Sequence, residues 1–92
     1  MTFEWDDSKN SVNVSKHGFD FTDAHEVFEG PVLARLDSRK DYGENRWQGV
    51  GLLRGRLVVI VYTERDHDRI RIISLRKANR HERDAFQEAI QD

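Results

Sequence analysis

The sequence contains no cysteine, which removes disulfides and thiolate-held metals from consideration. A small domain built without disulfides fits a reducing cytosol, and a cytoplasmic location is expected. Long apolar runs are also missing. The longest, Leu57 to Tyr62, falls far short of the ~20 residues a membrane span needs. The opening Phe3-Glu4-Trp5 followed by two aspartates lacks the pattern of a secretory signal. No two of the four histidines stand at i, i+4, so a metal site has no local nucleus, and neither metal nor cofactor is expected. Between Arg69 and Phe86 there is no aromatic residue. A generic single-strand-binding domain interleaves stacking rings with cations, so that function class ranks lowest.

What remains describes one α+β domain spanning residues 1–92. The 92-residue chain is 37% apolar, with five Phe and two Trp. A chain of that length buries roughly 60–65% of its unfolded surface, enough for a modest core. Charged residues make up 35% of the chain and sum to −2, which by itself disfavours a nucleic-acid partner. Their placement is uneven. Residues 1–45 carry five Lys/Arg against ten Asp/Glu, and residues 46–92 carry ten against seven. Six basic residues and the single acid Glu82 lie between Arg69 and Arg83. A cluster of one sign can hold an anion on a molecule of slightly opposite net charge, although a solvated charged face has the same composition.

Phe3-Glu4-Trp5 alternates as a short strand does. Asp6 or Asp7 caps a helix running to about His17, which Gly18 ends in the left-handed conformation. Asp20 or Thr22 starts a second helix with Phe21, Ala24 and Phe28 on one face, and Gly30-Pro31 ends it. Strands are predicted at Val32–Leu36, Arg46–Leu53, Leu57–Glu64 and Ile70–Leu75. A loop or hairpin tip spans Ser38–Asn45, with turns at Arg54-Gly55 and at Arg65–Asp68. Leu57–Val61 is apolar on both faces, as a central strand would be. The last helix starts at Asn79, with Glu82 in the capping-box position and Ala85, Phe86, Ala89 and Ile90 as its apolar stripe. The order β-α-α-β-β-β-β-α predicts a mostly antiparallel sheet with two N-terminal helices packed on it and a C-terminal helix.

Of the histidines, His25 is expected to pack half-buried and His67 to be exposed in a turn. His81 stands beside Arg80 and Arg83 and can join an anion site. His17 ends a helix beside Lys16. Its position fits either a cation favoured by the helix dipole or a proton-transfer group at the rim of the sheet. Arg69 and Arg71 share one strand face, and Arg76 falls on the opposite parity unless a bulge or the strand end re-aims it. Their guanidinium forks match phosphate, although the same arginines can pair with Glu64, Asp66 and Asp68 across a hairpin. Metal-free RNA cleavage needs a base for the 2′-OH, cations for the charged phosphorane and an acid for the leaving 5′-oxygen. His17 and Glu64 are candidate proton handlers, and Arg71 and Arg76 are candidate phosphate clamps, meeting around one phosphodiester.

The residues Phe3-Glu4-Trp5-Asp6, Lys9, Asn13 and Lys16-His17-Gly18 resemble the opening of the BrnT toxins, F-E-W-D-x-x-K-x-x-x-N-x-x-K-H-G. Phe21, Ala24 and Val27-Phe28 are similar to that family's second helix. Arg69-Ile-Arg71-Ile-Ile-Ser74-Leu-Arg76-Lys77-Ala78 with Glu82 resembles its R-I-R-I-I-S-A-R-x-A-x-x-x-E segment, with Leu75 in place of a small residue. The resemblance covers nearly the whole chain. It implies a RelE-like fold, metal-independent ribonuclease activity, and a DNA-binding BrnA antitoxin whose complex with the toxin represses their operon. It points to Lys16, His17, Glu64, Arg71 and Arg76 for activity. Lys9, Arg46, Arg69 and Arg80 are expected to hold RNA. The antitoxin is expected to set acidic or apolar groups against the strand of Arg71 or the last helix, forming a hetero-oligomer. The alternative is a non-catalytic RelE-like interaction module bound to a DNA-binding partner.

Overall fold

A computed structural model describes residues 1–91. Five strands form one mixed sheet: β1 (Thr2–Glu4), β2 (Val32–Leu36), β3 (Trp47–Leu53), β4 (Arg56–Glu64) and β5 (Arg69–Lys77). Their order is β1-β5-β4-β3-β2. β1 lies parallel to β5, and the other neighbours are antiparallel. Helices α1 (Asp7–His17) and α2 (Arg80–Ile90) and a 3₁₀ segment, Phe21–Glu29, complete the fold.

Phe21–Glu29 is the one element whose type departs from expectation, since a second α-helix was predicted there. Asp20 caps it, accepting from the Thr22 amide at 2.9 Å. A 3₁₀ helix has three residues per turn, so Phe21, Ala24 and Val27 stack in a single row, and all three are fully buried. An α-helix would have put Phe28 in that row, but Phe28 stays at the margin of the core. The row packs on Val58, Ile60, Tyr62, Ile70, Ile72 and Leu75. Each such fully buried side chain contributes about 1.5–3 kcal/mol relative to exposure. Approach is close: a Cβ on Gly51 would lie 2.8 Å from Val27 Cγ1.

The opposite face of the sheet carries α2. Its capping box is complete: Asn79 accepts from the Glu82 amide at 2.8 Å, and Glu82 accepts from the Asn79 amide at 2.9 Å. Only Phe86 of the predicted stripe is buried, against Val50, Val59 and Ala78. Ala85, Ala89 and Ile90 stay exposed.

α1 does not lay an apolar stripe on the sheet. Val12 and Val14 face solvent, and its single buried residue is Asn13. β1 covers β5 only as far as Arg71, so beyond that point the outer edge of β5 lacks a strand neighbour. Asn13 takes its place: its amide donates to Leu75 O at 2.8 Å and to Phe19 O at 2.9 Å, and its carbonyl accepts from Leu75 N at 3.2 Å. Asn13→Ala removes three bonds and leaves buried backbone groups unpaired, at about 1–3 kcal/mol per unsatisfied group. We expect a loss of about 2–4 kcal/mol in urea unfolding; a loss below 1 kcal/mol would show that α1 is held by something else.

Candidate active site

Asn13 fixes which side of α1 meets the sheet. Lys9, Asn13 and Lys16 stand at i, i+4 and i+7, one face of a helix. With Asn13 bonded to the edge of β5, the two lysines flank that contact. They line a groove of about 350 Å³ together with Ser8, Val12, Asn13, His17, Ile73 and Ser74. No carboxylate is among these lining residues. Among the described residues neither Lys9 nor Lys16 enters an ion pair. Asp6 starts the helix by accepting from the Lys9 amide at 3.0 Å. Gly18 ends it at φ 78°, with its amide bonded to Val14 O. The basic last turn of Lys16 and His17 therefore lies at the negative end of the helix dipole.

β5 contains the re-aiming irregularity that would bring Arg76 onto the face of Arg71. Tyr62 pairs with Ile72 and Val61 with Ser74, so Ile73 is an extra residue. A bulge of this kind reverses the parity of everything after it. Ile70, Ile72 and Leu75 thus all reach the 3₁₀ side, while Arg71, Ser74 and Arg76 share the α2 side. Thr63 and Val59 stand opposite Arg71 and Arg76, which puts the two arginine Cα atoms about 13 Å apart at ~3.3 Å per residue. Ser74, a lining residue of the groove, lies between them.

The guanidinium groups do not converge on one point. Arg71 Nη1 donates to Glu4 Oε2 at 2.9 Å, and Glu4 also pairs with Arg69 at 3.3 Å. Arg76 grips Glu82 through two bonds of 2.9 and 2.8 Å. The bonds from Arg76 hold the Glu82 carboxyl below its ordinary range, and the same pairing raises Arg76. Arg39, bound to Asp37 through Nε and Nη2 at 2.8 Å each, is near enough to oppose the charge on Arg76.

The remaining candidates are scattered. Glu64 ends β4 opposite Ile70, exposed, on the face of Tyr62; it is not among the residues lining the groove. Arg46 lies over the Tyr42 ring at 4.0 Å. Its Nε and the Thr63 hydroxyl are buried side-chain atoms without a hydrogen-bond partner, and β3–β4 register makes the two residues cross-strand neighbours. Arg69 pairs with Glu4 and Asp66, and Arg80 is exposed at the start of α2. His25 is exposed rather than half-buried, because the 3₁₀ row turns it outward; its Nδ1 lies 3.0 Å from Thr22 O. His67 is exposed in its turn, and His81 lines a groove between α2 and β2. Among the described residues no three His, Asp or Glu gather as a metal site requires. Asn13, Ser74, Glu4 and Glu82 had no assigned part in the site. All four stood in the quoted motifs, and the parallel pairing of β1 with β5 explains what Glu4 does there.

A small α+β domain with a five-stranded mixed sheet and, at one sheet edge, a groove that holds Lys9, Lys16 and His17 and no carboxylate defines the class. The comparisons give the class a name. A family model described as "Ribonuclease toxin, BrnT, of type II toxin-antitoxin system" matches residues 5–82, and the chain belongs to that family. No curated protein matches the sequence. The crystal structure of the Brucella abortus ribonuclease toxin BrnT is similar, with a TM-score of 0.67 and 27% identity over 87% of this chain and 99% of that one. No helix among the described residues is long and apolar enough to cross a membrane.

Proposed function

We propose that this protein is a metal-independent endoribonuclease toxin, acting as a single cytoplasmic domain and neutralised by a BrnA-like antitoxin. The observation that carries the reading is the groove in which unpaired Lys9 and Lys16 meet His17 beside Ser74. A phosphodiester seated there meets fixed cations, which stabilise the phosphorane as charge accumulates. His17 takes the 2′-OH proton as the 2′-oxygen bonds to phosphorus. A protonated group, Lys16 or a second imidazole state, returns a proton as the bond to the 5′-oxygen breaks. The products are a 2′,3′-cyclic phosphate and a free 5′-hydroxyl. Arg71 and Arg76, on either side of Ser74, hold the neighbouring phosphates once these displace Glu4 and Glu82. Arg46, Arg69 and Arg80 extend the path. Glu64, off the groove, is left out of the proton path.

The same reading includes a RelE-like fold and co-repression of the operon through a DNA-binding antitoxin, as the motif resemblance implies. Expression of the protein alone tests the function: growth should stop and cellular RNA should fragment, with relief by Arg71→Ala or Arg76→Ala. Intact RNA at full soluble expression would replace this reading with the non-catalytic interaction module, which the pairing of both arginines with carboxylates favours.

A further inference from the structure

The sheet has a second open edge, on the side away from the groove. β2 is the last strand, and its residues from Leu33 to Leu36 are all exposed. Asp37 N donates to Arg46 O at 2.7 Å, so residues 37 and 46 form a hydrogen-bonded pair. By antiparallel alternation 35/48 and 33/50 do the same. Val32, Ala34 and Leu36 therefore turn their amides and carbonyls outward, where β2 has no strand neighbour. Such an edge is a template for another strand. Beside it, on the α2 side, a groove of about 180 Å³ runs between β2 and α2, with Leu33, Ala34, Val50 and Ala85 among its lining and Arg35 and His81 at its rim. Leu33, on the groove face, is 38% exposed, and Leu36, on the other face of β2, is 48% exposed. Arg35 brings a cation without a carboxylate partner among the described residues to the groove side of this edge. Arg35 bonds only to the neutral Gln48 amide, at 3.3 Å, and Lys40 enters no ion pair among the described residues. Of the nearby carboxylates, Asp37 and Glu82 are held by Arg39 and Arg76 and Glu44 by Arg46 and Arg65, and Asp41, beside Lys40, enters no ion pair among the described residues.

We infer that β2 is the docking edge for an extended, acidic segment of the antitoxin. That segment adds as a sixth strand whose groove-facing residues differ in kind: one is apolar and packs against Leu33 and Ala85, and the next on the same face is a carboxylate that meets Arg35, which shares that face with Leu33. A second copy of this chain fits less well, since it would bring its own Arg35 and Lys40 to the same edge. The inference rests on the toxin–antitoxin reading for its partner and places that partner's anchor three strands away from β5 and the catalytic groove. The antitoxin was expected on the strand of Arg71 or on the last helix; the open edge moves the contact to β2 with α2 as one wall.

The probe is a synthetic nine-residue peptide, Val-Thr-Glu-Thr-Val-Thr-Glu-Thr-Val, which sets Val and Glu in turn on one strand face (the Glu-Val peptide; a Lys-Val peptide carries Lys in place of Glu), titrated into the ¹⁵N-labelled protein. Saturable shifts confined to residues 32–36 and 81–90, with slowed amide exchange at Val32, Ala34 and Leu36, are the expected result. A Lys-Val peptide should bind at least tenfold more weakly. Arg35→Glu should weaken the Glu-Val peptide at least tenfold, and Ala34→Pro should do so by deleting an outward donor while sparing the ladder to β3. Shifts centred on α1 and β5, equal binding of the Lys-Val peptide, or unchanged affinity in folded Arg35→Glu would each overturn the inference. Concentration-dependent shifts of the same amides without peptide would assign the edge to a second copy and overturn it too. RNA cleavage by Arg35→Glu should equal that of the wild type. An inactive wild type that still binds the peptide at β2 would sink the nuclease reading alone.

Discussion

His17→Ala lowers RNA cleavage by about 10²–10⁴-fold, the range removed with a general acid or base, while the urea midpoint stays near that of the wild type. The two readouts separate because of where His17 sits. It is the last residue of α1, half-buried in the groove lining, and among the described residues none of the hydrogen bonds that hold α1 to the sheet and to the start of the 3₁₀ segment involves its ring. Those belong to Asn10 and Asn13. Loss of the imidazole therefore takes away a proton carrier and a charge at the helix end worth about 0.3–1 kcal/mol. Lys16→Ala should also cut cleavage, and because Lys16 is exposed and unpaired its stability should not fall. The distinction between them lies in rescue: added imidazole should restore cleavage to His17→Ala, whose missing group is a proton carrier, and leave Lys16→Ala unchanged. A His17→Ala enzyme with wild-type rates would move the chemistry out of the groove.

Local chemistry was the legible part of this chain. Asp6 and Gly18 bracket α1, the Asn79–Glu82 capping box opens α2, and Arg54-Gly55 turns β3 into β4 with φ values of 51° and 81°; each is set by residues a few positions apart. Contacts over long sequence distances were not legible. The parallel pairing of β1 with β5 joins residues 67 apart and hands Arg71 to Glu4 rather than to the nearby acids 64, 66 and 68. The bulge at Ile73 is set by register between two strands, and both faces of β5 around it are apolar or cationic enough to permit either parity. The 3₁₀ segment shows the same limit. Phe21, Ala24, Val27 and Phe28 satisfy periods of 3 and 3.6 alike, and the structure buries the period-3 row of Phe21, Ala24 and Val27, with Val27 close over Gly51. In the candidate site, Lys9, Asn13 and Lys16-His17 were visible only as part of the family motif. That Asn13 serves as a substitute strand edge, turning the lysines into a groove, required the position of Leu75.

Arg76→Ala is the second substitution with a large expected effect, and Glu82 makes its interpretation clean. Arg76 and Glu82 form a bidentate pair in which the carboxylate side chain is only 13% exposed. Removing the arginine strands a nearly buried anion, at about 1–3 kcal/mol, and cleavage should fall by at least tenfold. If that fall came from folding alone, Arg76→Ala/Glu82→Gln would restore both properties, because glutamine is neutral and keeps the capping-box geometry. We expect the double variant to recover stability and not activity. Glu82→Gln alone should act oppositely on RNA: it frees Arg76 for phosphate, tightening binding and steepening the dependence of log K on log salt by about 0.7 per added contact. The pair also carries a pH signature. Because its carboxyl is lowered on folding by Arg76, Glu82 stabilises the native state above the ordinary glutamate range. That contribution fades as pH falls through the lowered value. The difference in Tm between wild type and Glu82→Gln should therefore be constant from pH 6 to about 5 and shrink below about 4. A difference independent of pH down to 3, together with an unchanged salt slope, would show that Glu82 neither titrates against Arg76 nor withholds it from RNA.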